Sequence, residues 1–175
     1  MKSIKIVGIV ILVIIAGFFV GAFFLPQKVQ ITSTETVNVP INEVFALVND
    51  FNNWSEWSPW FDTSKVYTYI GSEYGVGSIM RWVDSKGQVG EREIVESVEN
   101  KKIVVITQFR AEHSKAIMDF SFHELDSGKT EVVLSFDMKN QFSYPFGRYI
   151  AWMIQAGVDV SFPKALTNIK DVAEK

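Results

Sequence analysis

A chain of 175 residues, 47% of them hydrophobic, is long enough for one domain with a true core. Seventeen basic against twenty acidic residues give a formal charge of −3 with no basic stripe, which argues against nucleic-acid binding. The absence of cysteine excludes disulfides, thiolate metal sites and cysteine nucleophiles.

The hydrophobic excess is concentrated at the N-terminus. From Ile6 to Leu25 no charged or strongly polar side chain interrupts the chain. At 1.5 Å per residue, a helix of that length spans about 30 Å, the thickness of a bilayer core. Residues 1–28 therefore read as a membrane anchor, crossing through 6–25, and 29–175 as the domain it carries. The competing reading is a cleaved signal peptide ending at Val20-Gly21-Ala22. Signal peptides have apolar cores of about 7–15 residues, whereas Phe23-Phe24-Leu25 continue the run here. Lys2 and Lys5 precede the span and Lys28 alone follows closely, a bias that places the N-terminus in the cytoplasm and the domain outside the cell membrane. Without those two lysines the net charge falls from −3 to −5.

In the domain, Val29 to Val39 alternates threonine and asparagine against Val29, Ile31, Val37 and Val39, a strand with one wet face. Pro40 ends it, and a short helix turns Val44, Phe45, Leu47 and Val48 inward. The segment 51–61 holds the densest aromatic cluster, with Trp54, Trp57 and Phe61 expected on one helical side before Pro59 closes the helix. Six strands follow at hairpin spacing: 66–70, 78–84, 89–98, 103–110, 116–125 and 130–139. The turns between them are marked by Gly75-Val76-Gly77, Ser85-Lys86-Gly87, Asn100-Lys101 and Asp126-Ser127-Gly128-Lys129. For the last hairpin, a three-residue loop pairing Asp126 with Thr130 sets Phe120 against Phe136, Phe122 against Leu134 and Met118 against Met138. If Asn100-Lys101 is a two-residue turn, Glu91 faces Arg110 and Glu93 faces Gln108.

The chain closes on a helix over about 148–172. Ile150, Met153, Ile154, Gly157, Val158, Ser161, Phe162, Ala165, Leu166 and Ile169 recur on one face, and Pro163 is expected to kink or split it. One apolar helix face against one antiparallel sheet makes a two-layer α+β domain.

The run Val39-Pro40-Ile41-Asn42-Glu43-Val44-Phe45-Ala46-Leu47-Val48-Asn49-Asp50, then Trp54-Ser55-Glu56-Trp57-Ser58-Pro59-Trp60, resembles the opening of polyketide cyclase/dehydrase-like proteins of the START-like (SRPBCC) superfamily. Gly75-Val76-Gly77, Glu96-Ser97-Val98-Glu99-Asn100 and the closing helix fit the same pattern, so the resemblance covers about residues 30–172. It implies a helix-grip fold, a curved sheet of six to seven strands around the last helix, often with a hydrophobic cavity between them. The superfamily includes lipid carriers, aromatase/cyclases and chaperone-ATPase activators.

Two groups of side chains are candidate sites. Trp54, Trp57 and Trp60 either line a cavity mouth and stack on a ligand or plug one end of the core. Trp82, Phe109, Phe120, Phe122, Phe136, Met138, Met153, Gly157, Ser161 and Phe162 are the other candidates for the cavity wall, with small Gly157, Ser161 and Ala165 leaving room or allowing close approach. Glu91, Glu93, Gln108 and Arg110 form the second group. Facing inward, they would orient a ligand or act as acid and base; facing outward, they are a cross-strand charge pair. The alternate face, with Ile94, Val98, Ile103, Val105, Thr107 and Phe109 but also Arg92 and Glu96, is the more apolar and favours the outward placement. His113 and His123 are the only histidines, too few for a metal cluster, and no Gly-x-Ser-x-Gly elbow or phosphate loop is present. The expected function is a membrane-anchored module binding a hydrophobic small molecule or lipid, without catalysis, metal or cofactor. The alternatives are a cyclase- or dehydratase-like enzyme using Glu91, Glu93 or Arg110, and a protein-interaction module with a filled core.

Overall fold

The computed structural model describes residues 2–109, 114–126, 128–138 and 142–175. Helix α1 spans Lys2–Phe23 and is followed by strand β1, Val29–Val37. Helix α2 (Ile41–Asn49), a 3-10 turn (Phe51–Asn53) and the one-turn helix α3 (Trp54–Trp57) come next. Strands β2 (Val66–Gly71), β3 (Ser78–Val83), β4 (Val89–Val98), β5 (Lys102–Phe109), β6 (Ser114–Leu125) and β7 (Lys129–Met138) lead to helix α4, Phe146–Ala173. The strands form one antiparallel sheet in the order β1-β7-β6-β5-β4-β3-β2, so only β1 is out of sequence order, returning beside β7. This is the α+β helix-grip architecture expected from the pattern of one sheet and one closing helix.

Two hairpins differ in register from the sequence reading. In β6–β7 the observed pairs are Phe120↔Leu134, Phe122↔Val132 and Met118↔Phe136, with Leu125↔Lys129 next to the turn. Gly128, at φ +72°, directly precedes the first paired residue of β7, so the left-handed position is the last of the loop and not its middle. The register therefore slips by two, which leaves every side chain on its expected face. In β4–β5 the turn is one residue longer than expected: Val98 pairs with Lys102, and Asn100 takes the left-handed conformation at φ 54°. The register then shifts between Ile94 and Glu96, where Val95 forms a β-bulge.

The core lies under the C-terminal half of α4. Phe162, Ala165, Leu166 and Ile169 are buried against Val37, Val44, Val48, Ile94, Ile103, Val105 and Leu134. Polar ties fix this half: Asn168 Nδ2 donates to the Trp57 carbonyl at 2.8 Å, Glu174 Oε1 accepts from the Asn38 backbone N–H at 2.7 Å, and Lys170 pairs with Glu35 at 2.9 Å. Pro163 does not split α4, which continues through it with the proline on the exposed side. There the missing N–H leaves only a solvent-facing carbonyl unbonded.

Trp54 and Trp57 belong to this core. Both are buried, and their indole N–H groups donate to the α2 carbonyls of Val48 (3.0 Å) and Leu47 (3.4 Å). Phe61 does not join them. The helix stops at Trp57, and Phe61 stacks on Tyr67 with ring centroids 4.3 Å apart.

The last turns of α1 rest on the start of α4. Phe18 stacks on Tyr149 (4.7 Å, 11°), whose hydroxyl donates to the Phe18 carbonyl at 2.9 Å. The Tyr144 hydroxyl donates to the Phe19 carbonyl at 2.6 Å, and Arg148 Nη1 to the Leu25 carbonyl at 3.0 Å. Gly21 permits the approach, because a Cβ there would stand 2.9 Å from the Tyr149 hydroxyl. The rest of α1, apolar over Ile4–Phe23, is long enough to cross a membrane and lies exposed.

Candidate functional site

The sheet and α4 converge at one end and separate at the other. Under the N-terminal half of α4 they leave a cavity of about 540 Å³. Its floor is Thr107 of β5, Ala116 and Met118 of β6, and Phe136 and Met138 of β7. Its roof is Ile150, Met153, Ile154, Val158 and Phe162, with Trp60 and Gln88 at the sides. The volume falls within the roughly 300–1,000 Å³ of small-molecule pockets. A second cleft of about 630 Å³ lies between α2 and the β4–β5 turn, lined by Asn42, Asn49, Asp50, Asn53 and Glu99. It is polar and lies apart from the space between sheet and helix.

Among the described residues, the only charged side chain on the wall of the apolar cavity is Arg92. It is 8% exposed, and its guanidinium carbon lies 5.0 Å from the Trp82 ring centroid, 5.4 Å from Trp54 and 5.7 Å from Trp60. Burial pushes the guanidinium down to about 10, so it still carries its charge at neutral pH. Arg92 makes no ion pair or hydrogen bond among the described residues, and its Nε is buried without a partner. Thr107 faces it directly across the β4–β5 ladder, and the Thr107 hydroxyl is also buried without a partner. Trp82 reaches Arg92 because Gly90 lies beneath its ring; a Cβ on Gly90 would stand 2.1 Å from that indole.

The bulge at Val95 accounts for Arg92 pointing in. On the β4 segment before it Gly90, Arg92 and Ile94 are buried, and Glu91 and Glu93 face out. Glu91 pairs with Arg81 of β3 at 2.6 Å and Gln108 lies opposite it, while Glu93 is opposite Ile106. The expected Glu91–Arg110 and Glu93–Gln108 pairings are thus corrected by the longer turn and the bulge, and neither glutamate reaches the cavity. Arg110 and His113 lie outside the described residues. His123 is exposed on the outer face of β6, and among the described residues no His, Asp and Glu cluster that could hold a metal is found.

Of the aromatic and small-residue candidates, Trp60, Phe136, Met138, Met153 and Phe162 come together around the cavity. Trp54, Phe120 and Phe122 are core, as is Trp57, while Trp82 faces a smaller cleft of about 330 Å³ beyond Arg92. Phe109 ends β5 opposite Gly90. Gly157 is not on the wall. It is exposed, and a Cβ added to it would meet nothing within 4 Å, while Ser161 is half-buried outside the lining. The inward face of α4 runs through Ala151, Ile154, Val158 and Phe162, one position round from the small-residue stripe. Arg92 and Thr107 are the residues that sequence reasoning passed over. Their signal was two polar side chains in an otherwise apolar alternation.

Residues 28–174 match the family described as polyketide cyclase/dehydrase and lipid transport. No curated protein matches the chain. Among solved structures it resembles a protein from Chromobacterium violaceum, 15% identical, covering 86% of this chain and 99% of that one with a TM-score of 0.56. A Staphylococcus epidermidis protein (16% identity, 86% and 93% coverage, TM-score 0.59) and KanY (15%, 86% and 100%, 0.62) are also similar. At such identities the likeness is one of fold.

Proposed function

We propose, from the premise that this chain belongs to the polyketide cyclase/dehydrase and lipid transport family, that it is a membrane-anchored module holding a hydrophobic small molecule or lipid between its sheet and α4. The observation that carries this is the cavity of about 540 Å³ with its apolar floor and roof. The space is open at its rim and walled mainly by apolar side chains, the form of a small-molecule pocket that a guest can enter and fill. With Glu91 and Glu93 facing out, no carboxylate stands among the described lining residues, which supports a holder over an acid–base catalyst.

The anchor reading is supported by the docking of α1 on α4. The signal-peptidase alternative would sever a segment whose Gly21 and Ala22 are packed against the domain. Ile150 (52% exposed) and Met153 (67% exposed) form the cavity rim on the same helix that receives α1. A rim beside the membrane span lets an apolar guest pass between bilayer and cavity without crossing water. Lys2 and Lys5, ahead of the span, favour a domain outside the cell membrane. Protease added to intact cells, or to spheroplasts where an outer layer blocks it, should then degrade the domain; full protection would reverse the orientation.

Val158→Trp should fill the cavity from the roof. With the full chain in lipid nanodiscs, binding of Nile red, an uncharged dye, is expected to fall about tenfold or more, while stability changes by about 1–3 kcal/mol at most. Wild-type protein that takes up no dye and carries no co-purifying lipid would overturn the reading.

A further inference from the structure

We propose that the cavity is built for an amphiphile with a single carboxylate head, the carboxylate lying on Arg92 with the Thr107 hydroxyl beside it and the apolar body under α4. This rests on the cavity reading above and adds the chemistry of the head group.

Three observations converge on it. Arg92 is more than nine-tenths buried, lines the cavity and has no hydrogen-bond or ion-pair partner among the described residues, with Nε wholly unmatched. Thr107, its cross-strand neighbour, presents a second buried, unmatched polar atom to the same space. Among the described residues no acidic side chain lines the cavity, so none of them supplies a counter-ion there. Asp62 lines the adjoining cleft with Arg92 but is engaged elsewhere: it accepts from the Ser64 backbone N–H at 2.9 Å and sits 4.0 Å from Lys65.

The three tryptophans attract the cation but offer no acceptor oxygen for its N–H groups. A buried donor without an acceptor is costly, and proteins rarely leave one unless a missing partner completes it. A carboxylate is that partner in shape and charge: it is planar, matches the guanidinium fork and neutralises one positive charge. A phosphate monoester would bring close to two negative charges against one cation and leave the surplus in an apolar enclosure. A neutral alcohol would leave the charge unpaired. Apart from Gln88 at the side, the remaining wall, from Phe136 and Met138 below to Val158 and Phe162 above, offers apolar surface.

The test uses the full chain in phosphatidylcholine nanodiscs, with empty nanodiscs as the partition background. Dodecanoate, dodecanol and dodecyl phosphate compete for bound Nile red. Dodecanoate is expected to displace the dye at about tenfold lower concentration than dodecanol, the size set by a charge-assisted hydrogen-bond pair. Arg92→Met should keep dye binding and bring the acid and the alcohol to within about twofold of each other, with Arg92→Lys between. Glu91→Gln, on the outer face, should leave the preference intact. Equal displacement by acid and alcohol in wild type, or a preference that survives Arg92→Met, overturns the head-group assignment while the cavity stands. Stronger displacement by dodecyl phosphate also overturns it, in favour of phosphate. If wild type binds neither dye nor any amphiphile, the cavity reading itself fails.

Discussion

Trp54→Ala is expected to lower the unfolding free energy by about 3–5 kcal/mol, the range for truncating a fully buried aromatic side chain. Trp54 is completely buried and packs edge-on to Phe51 (5.0 Å between centroids) and Phe120 (6.1 Å). Its N–H also satisfies the Val48 carbonyl at 3.0 Å, so truncation leaves that acceptor in the core without its donor. Urea denaturation of the full chain in nanodiscs, followed by far-ultraviolet circular dichroism, measures the loss. Trp152→Ala is the internal comparison: 54% exposed, it should change stability by no more than about 0.5 kcal/mol. A Trp54 variant that folds normally but loses dye binding would instead make this tryptophan a ligand contact. The two roles weighed for the cluster are thereby separated by one measurement.

Arg92→Met is expected to stabilise the empty domain by about 1–3 kcal/mol. Desolvation, the main cause, lowers the guanidinium from its ordinary value to about 10, which corresponds to roughly 3 kcal/mol against the charged form. Cation–π attraction to Trp54, Trp60 and Trp82 offsets part of this, and methionine fills a similar volume with no charge to desolvate. Arg92 is a base whose folded-state pKa is depressed, so its cost applies in full while the folded chain holds it protonated, below about 10. That cost is relieved only as pH rises through about 10 toward the ordinary guanidinium value. The gain should therefore be the same anywhere near neutral pH, and thermal unfolding at two such values checks it. A destabilised Arg92→Met would show that the ring contacts outweigh desolvation. A more stable protein that has lost its carboxylate preference would mark Arg92 as a residue kept for binding at the expense of stability.

The architecture was legible because period and punctuation agree. Strand alternation from Val29 onward, turn residues at regular spacing and the 3.6-residue repeat after Gly147 all point to one sheet and one helix. The faces of β6 and β7 were also legible even though their register was not, since a slip of two preserves alternation. What the sequence concealed lies where alternation breaks. Nothing in Glu93-Ile94-Val95-Glu96 announces a bulge, and Asn100, a residue that tolerates the left-handed conformation it adopts, marks the turn without fixing its length. The same holds for Gly157: the apolar stripe of α4 is broad, and helical periodicity locates its centre only to within one residue. The side of Gly157 that faces the sheet depends on where the helix docks. Ala151 and Val29, packed together at the β1–β7 edge, set that docking.

The bulge at Val95 has one more implication. Because β4 alternates Glu91, Arg92 and Glu93, its inward charge is decided by backbone phase and not by which residues are present. With the Val98–Lys102 pair kept, a β4 in which Val95 entered the ladder instead of bulging would set Glu93 opposite Thr107, bringing Glu91 and Glu93 inward and sending Arg92 to solvent. The enclosure would change from a single positive charge to two negative ones. Substituting Arg92 can erase the cavity's positive charge, whereas flattening the bulge with no change of composition would invert it.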